Sequence, residues 1–177
     1  MDKNYFKLSQ IDYSMLGVSK AFKKNLKDEK YLERPFAYEF YHQLRKLINS
    51  GDANFGGPVV IQAEVDKRYQ HYFEDGKIPD FIIHVPNKQK NIAVIEVKLA
   101  TNLSNLKGDL KKLVEFKNHK ELKYAFAIEI IIGNFASLKK AKEYISRMGK
   151  TNGEEITVIE YNTNSAKVDD WKICIRE

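Results

Sequence analysis

Apolar positions change their period several times along this 177-residue chain, and each change marks an element. Over residues 13–27, Met15, Leu16, Val18, Ala21, Phe22 and Leu26 recur at helical spacing. A second helix is predicted from Pro35, a residue suited to a first helical turn, to about Asn49-Ser50-Gly51. Its apolar stripe is Phe36, Phe40, Leu44, Leu47 and Ile48, with Glu39 and Gln43 one turn apart on the flank. The period then shortens to two, predicting strands from Val59 to about Val65, over 80–85 and over 92–99. Residues 86–91 are too few for a parallel crossover, so the last two of these strands form an antiparallel hairpin. Leu106, Leu110, Leu113 and Val114 restore helical spacing, and a strand over 124–132 follows. A strand, helix, strand unit of this kind predicts a right-handed parallel crossover. A helix over 136–148 and short strands over 156–161 and 171–175 complete an α/β fold, a central mixed sheet flanked by helices.

Composition narrows the picture. One domain spanning 1–177 is the expectation at this length. Hydrophobic residues at 43% and charged residues at 31% exclude wholesale disorder. The single cysteine, Cys174, excludes an intrachain disulfide or a thiolate metal cluster. No apolar run reaches the roughly 18 residues of a membrane span. The longest, over 124–133, is interrupted by Glu129, and the first residues form no hydrophobic signal region. The expectation is a cytoplasmic protein without a membrane partner. Thirty Lys+Arg against twenty-four Asp+Glu give +6, which suits a polyanionic partner and equally a solvated lysine-rich surface.

The candidate chemistry lies in Ile92-Ala93-Val94-Ile95-Glu96-Val97-Lys98-Leu99-Ala100. Side chains alternate along a strand, so Glu96 and Lys98 share one face and Ile95, Val97 and Leu99 the other. Burying either charge alone is costly, so each needs a partner or a water-filled cleft. Asp80, after Pro79 at the start of the hairpin partner, is placed to lie beside Glu96. Neighbouring carboxylates repel, and a divalent cation relieves the repulsion. An acid, any residue, then lysine occurs seven times, starting at Asp28, Asp75, Glu96, Asp109, Glu115, Glu121 and Asp170. Only the one at Glu96 lies inside a strongly apolar strand, and Pro-Asp occurs once.

Pro79-Asp80 followed by Glu96-Val97-Lys98 resembles the signature of the PD-(D/E)XK phosphodiesterase superfamily, which includes restriction endonucleases and junction resolvases. The order helix, three strands, helix, strand over 35–132 is similar to that superfamily's core. The stretches 1–34, an N-terminal helical extension, and 133–177, a C-terminal helix and strands, match nothing in it. The resemblance implies a restriction endonuclease-like sandwich and a metal-dependent endonuclease that hydrolyses phosphodiester bonds in DNA. It implies Asp80, Glu96 and Lys98 as catalytic residues, with Mg²⁺, or Mn²⁺ in its place, held by Asp80, Glu96 and the Val97 carbonyl. Many members add an acid from the preceding helix, and Glu39 matches that place. Lys98 would orient the attacking water or help to deprotonate it. Lys111, Lys112 and Gln43 are the implied substrate contacts, and a second copy or a protein partner would supply specificity.

Each residue has a plainer reading beside this one. Glu96 and Lys98 form a simple ion pair on an exposed sheet face, Asp80 starts a turn, and Glu39 is solvated. Glu64 is then a reserve acid. The corresponding alternatives in function are a nucleic-acid-binding protein that keeps the fold without cleaving, and an unrelated α/β protein acting through a partner. His42, His71, His84 and His119 lack zinc-ligand spacing, and Ser104 and Ser137 lack a triad context. Lys107, Lys111 and Lys112 follow the central strand, and Lys139, Lys140, Lys142, Arg147 and Lys150 cluster on the next helix. Both groups suit sequence-independent phosphate contacts or a solvated face.

Overall fold

The apolar runs in the middle of the chain become the middle of one sheet. The computed structural model describes residues 33–50, 58–64, 77–86, 88, 90–149, 152–165 and 167–176. The predicted helix over 13–27, His71 and Lys150 lie outside them. The elements in chain order are α1 (Glu33–Ser50), β1 (Val60–Ala63), β2 (Phe81–Val85), β3 (Lys90–Leu99), α2 (Leu103–Asn118), β4 (Phe126–Gly133), α3 (Phe135–Ser146), β5 (Glu154–Asn162) and β6 (Lys167–Ile175). The strands pair in the same order, β1 to β6. β1, β2 and β3 are antiparallel, β3, β4 and β5 are parallel, and β6 returns antiparallel to β5. Each parallel connection carries one helix, α2 or α3, as a parallel crossover requires.

Helices cover both faces, which is why β3 and β4 are apolar almost throughout. On one face Phe36, Phe40 and Leu44 of α1 pack onto Phe81, Ile83, Ile95, Val97, Ile130 and Tyr161. The ring of Phe40 lies 5.7 Å from that of Phe81, and Phe36 lies 5.0 Å from Tyr161. On the other face Leu106, Leu110 and Leu113 of α2 and Leu138, Ala141 and Ile145 of α3 meet Val94, Ile131, Ile156 and Val158. Successive residues of β3 thus go to opposite layers, as a period of two demands. No helix among the described residues is long and apolar enough to cross a membrane.

Several boundaries differ from the sequence expectation. β1 stops at Ala63 because Glu64 takes a left-handed backbone, φ 48°, while its N–H donates to the Asp80 carbonyl at 2.9 Å. β4 begins at Phe126, and Tyr124 instead packs edge-on against Phe116 before the strand. β5 and β6 pair along their full length, from Glu154↔Ile175 to Asn162↔Lys167. The outer half of β6 includes exposed Lys167, Asp169 and Asp170, and its one apolar residue, Val168, is half-buried, so the backbone ladder rather than a side-chain period holds it. The buried Ile156, Ile159, Tyr161 and Ile173 make these strands part of the same core as residues 35–132.

Gly133 ends β4 where α3 must turn back, with the Asn134 side chain accepting from the Ser137 N–H at 2.9 Å. A Cβ on Gly133 would stand 2.4 Å from Ser137 Oγ and 2.8 Å from Ala100 Cβ. The hydroxyl can rotate, but the alanine methyl is fixed to its backbone. Gly133→Ala is therefore expected to lower stability by about 1–3 kcal/mol through overpacking. A lower urea midpoint at unchanged slope would show this, and an unchanged midpoint would contradict the close approach.

Candidate active site

β2 begins at Phe81, opposite Ile95, whereas β3 continues to Leu99. Pro79 has no N–H to extend the ladder backwards. Beyond Ile95, therefore, the backbone groups of β3 that face β2 have no strand to bond. Two acids take that place. Asp80 Oδ2 accepts from the Val97 N–H at 2.7 Å, and Glu33 Oε2 from the Leu99 N–H at 3.3 Å. In an extended strand a residue's carbonyl faces the same flank as its N–H, so the Val97 carbonyl also faces this gap.

The side chains of Glu96 and Lys98 leave β3 on the other layer, toward α2. Lys112 Nζ stands 2.7 Å from Glu96 Oε2, 3.5 Å from Asp109 Oδ1, and donates to the Ile78 carbonyl at 3.3 Å. Lys98 Nζ is 3.3 Å from Asp109 Oδ2 and 3.4 Å from Glu33 Oε1. Asp109 and Lys112, three residues apart on α2, present their charges on one face of that helix. Glu129 of β4 is the register partner of Glu96 and is fully buried. Neither of its carboxyl oxygens has a hydrogen-bond partner, nor has Glu96 Oε1.

Electrostatics divides the cluster into fixed cations and suppressed anions. Burial pushes the Glu96 carboxyl well above the usual range, Asp80 pushes it further, and Lys112 pulls it back. Burial does the same to Glu129, reinforced by Asp109 and Glu96. Asp80 is raised by burial, against the Val97 N–H and the two lysines. For Lys98 burial opposes the charge, yet Asp109, Glu33 and Asp80 outweigh it and hold the ammonium above an ordinary lysine. Lys112 is likewise raised: burial is outweighed by Glu96 and Asp109.

Of the residues singled out by sequence, Asp80, Glu96, Val97, Lys98 and Lys112 come together here. Glu39 bonds along its own helix instead: its Oε1 accepts from Gln43 Nε2 at 2.6 Å. The helix acid that reaches β3 is Glu33, in the first turn of α1, two residues before the start that Pro35 suggested. Lys112 differs from its expected role too, because its ammonium is tied to Glu96 rather than presented outward. Lys111 and Lys107 are exposed on α2, and Glu64 lies at the end of β1. Lys139, Lys140 and Arg147 are exposed on α3, while Lys142 stands 3.7 Å from Glu160 and over the Trp171 ring. His42, His84 and His119 sit on α1, β2 and the end of α2. Asp109 and Glu129 were missed. The available signal for Glu129 was a lone charge in an apolar run, and it becomes legible only once β3 and β4 are in register.

A cleft of about 830 Å³ opens between α1 and β1, with Glu33, Asp80 and Val97 along one side. Among the described residues no group of three or more Asp, Glu, His or Cys side chains is disposed to hold a metal ion. What the flank of β3 offers is two carboxylates, Asp80 and Glu96, and the Val97 carbonyl, with one buried Glu96 oxygen lacking a partner. Hard oxygens of this type are the ligands Mg²⁺ takes, with several waters and one or two carboxylates. Compared with protein families, curated proteins and solved structures, the chain matches none.

Glu129 yields a test of the electrostatics. Its raised folded value means the folded protein keeps a proton that the unfolded chain releases above the ordinary glutamate range. This group's contribution to stability is therefore complete at acid pH and falls as pH rises toward the folded value. Glu129→Leu is expected to raise stability at pH 7 by about 1–3 kcal/mol, since it removes an unsatisfied buried polar group. The gain should be larger at pH 8 than at pH 5 in urea unfolding. A loss of stability would reveal a partner for the carboxyl.

Proposed function

We propose that the protein is a Mg²⁺-dependent nuclease of the restriction endonuclease-like, PD-(D/E)XK kind, hydrolysing phosphodiester bonds in DNA. One observation carries the reading. Asp80 is bonded to the backbone N–H of Val97, between the Glu96 and Lys98 of the Glu-Val-Lys run, on a flank that β2 leaves uncovered. The layering of helices on both faces of a mixed sheet is compatible with it.

Asp80, Glu96 and the Val97 carbonyl would hold the cation, whose chemistry is to acidify a bound water and offset phosphate charge. The protein's own groups do the rest. Asp109 and Glu33 favour the ammonium form of Lys98, which would donate to the water or the phosphate and stabilise the growing charge. Glu33 and Asp109 fix that ammonium from two sides, Glu33 also bonding the Leu99 N–H. Glu33, rather than Glu39, is then the acid that the preceding helix brings to Lys98. Lys112 favours the ionised form of Glu96 against its burial.

A second reading, a nucleic-acid-binding protein that keeps the fold without cleaving, has one feature in its favour. Lys112 already neutralises Glu96 at 2.7 Å. Cleavage of supercoiled, linear, single-stranded and branched DNA with Mg²⁺ or Mn²⁺ separates the two. Activity should vanish in EDTA and fall at least about 100-fold in Lys98→Met and Asp80→Asn. Glu33→Gln should cost about 10-fold or more, whereas Glu39→Gln should stay within about twofold. Undiminished cleavage in EDTA or in Lys98→Met would sink the metal-dependent mechanism at this site. Silence on every substrate, with no Mg²⁺ bound in calorimetry, would select the binding protein.

A further inference from the structure

Arg34, Tyr38, Tyr41 and Arg45 follow one another at spacings of four, three and four residues, so they form a single stripe on α1. This stripe is distinct from the Phe36, Phe40 and Leu44 stripe that packs on the sheet, and all four residues line the cleft beside Asp80 and Val97. Tyr41 is a fixed part of the wall. Its ring stacks on Phe81 at 6.1 Å, and its hydroxyl accepts from Arg45 Nη1 at 2.9 Å. Tyr38 is 68% exposed, and among the described large hydrophobic side chains only Phe135 is more open. Arginines at the two ends of the stripe stand about 16 Å apart along the helix axis, with the aromatic rings between them.

Guanidinium groups meet phosphate oxygens in a fork geometry, and an exposed tyrosine ring takes a flat π-surface. A duplex satisfies the first requirement only, because its bases are already stacked on one another. An unpaired strand satisfies both. We infer that the α1 wall of the cleft binds an unpaired polynucleotide strand, a base lying on Tyr38 and phosphates meeting Arg34 and Arg45. It leads that strand toward Asp80 and Val97. The inference deepens the nuclease reading by naming its substrate class, single-stranded nucleic acid or the unpaired arm of a branched one, and rests on that reading for the cleavage step alone.

Binding by the full chain in EDTA keeps the two claims apart. The probes are a fluorescent DNA strand of about 12 nucleotides, the same sequence as RNA, and the blunt DNA duplex, read by anisotropy. A strand should bind at least about tenfold tighter than the duplex, and Tyr38→Ala should weaken strand binding about tenfold while Tyr38→Trp restores it. Arg34→Ala and Arg45→Ala should each lower the slope of log K against log salt by about 0.7. Tighter binding of the RNA strand supports the same wall and assigns the sugar. Equal or tighter duplex binding, indifference to Tyr38→Ala at unchanged thermal stability, or no strand binding at all overturns the inference. Strand binding that depends on Tyr38 without cleavage in any metal keeps it and removes the nuclease. Mg²⁺-dependent duplex cleavage indifferent to Tyr38→Ala does the reverse.

Discussion

A strand that carries both an acid and a lysine inside a sheet covered on two faces needs a partner for each charge. Much of this molecule is arranged around that need in β3. α2 turns Asp109 and Lys112 toward the sheet, so that Lys112 meets Glu96 and Asp109 meets Lys98. α1 begins where its first-turn acid, Glu33, reaches Lys98 from the far side. Two helices distant from each other in sequence, α1 and α2, are tied to one strand by these ion pairs. The ties are incomplete, because Glu129 beside Glu96 has no hydrogen-bond partner. Unsatisfied buried carboxyls lower stability, and such groups concentrate where chemistry is done.

The second organising feature is an offset between strands. β2 starts four residues short of the end of β3, and the uncovered N–H groups of Val97 and Leu99 draw in Asp80 and Glu33. The same offset therefore satisfies a sheet edge and gathers acids beside Glu96 and Lys98. It also leaves a cleft whose two walls differ in chemistry, acidic along the strand ends and cationic-aromatic along α1. Under the proposed function the acidic side holds the metal and the α1 side holds the strand to be cut. Lys98, its ammonium form favoured by Asp109 and Glu33, then serves by charge and direction.

Legibility in the sequence followed the range of the interactions. The hairpin of β2 and β3, the α2 crossover and the α1 stripe were readable because each depends on neighbours within a few residues. β6 was half missed because its outer part is held by backbone pairing to β5, which leaves no period in the side chains. The start of α1 was placed at Pro35, a local signal, and so Glu33 went unnoticed while Glu39 was favoured on the strength of a familiar place in the helix.

By itself, the sequence determined that an anomalous pair of charges sits in an apolar strand and that one acid precedes the strand's hairpin partner. Alternation and the short 86–91 connection suffice for that. Which further groups surround the pair was decided only by tertiary structure. Glu33 and Lys98 are 65 residues apart, Glu129 faces Glu96 through the β3 and β4 register, and Asp109 counts only because α2 turns that face inward. Desolvation then set which groups keep their charge, and burial is a property of the assembled layers that no local spacing encodes.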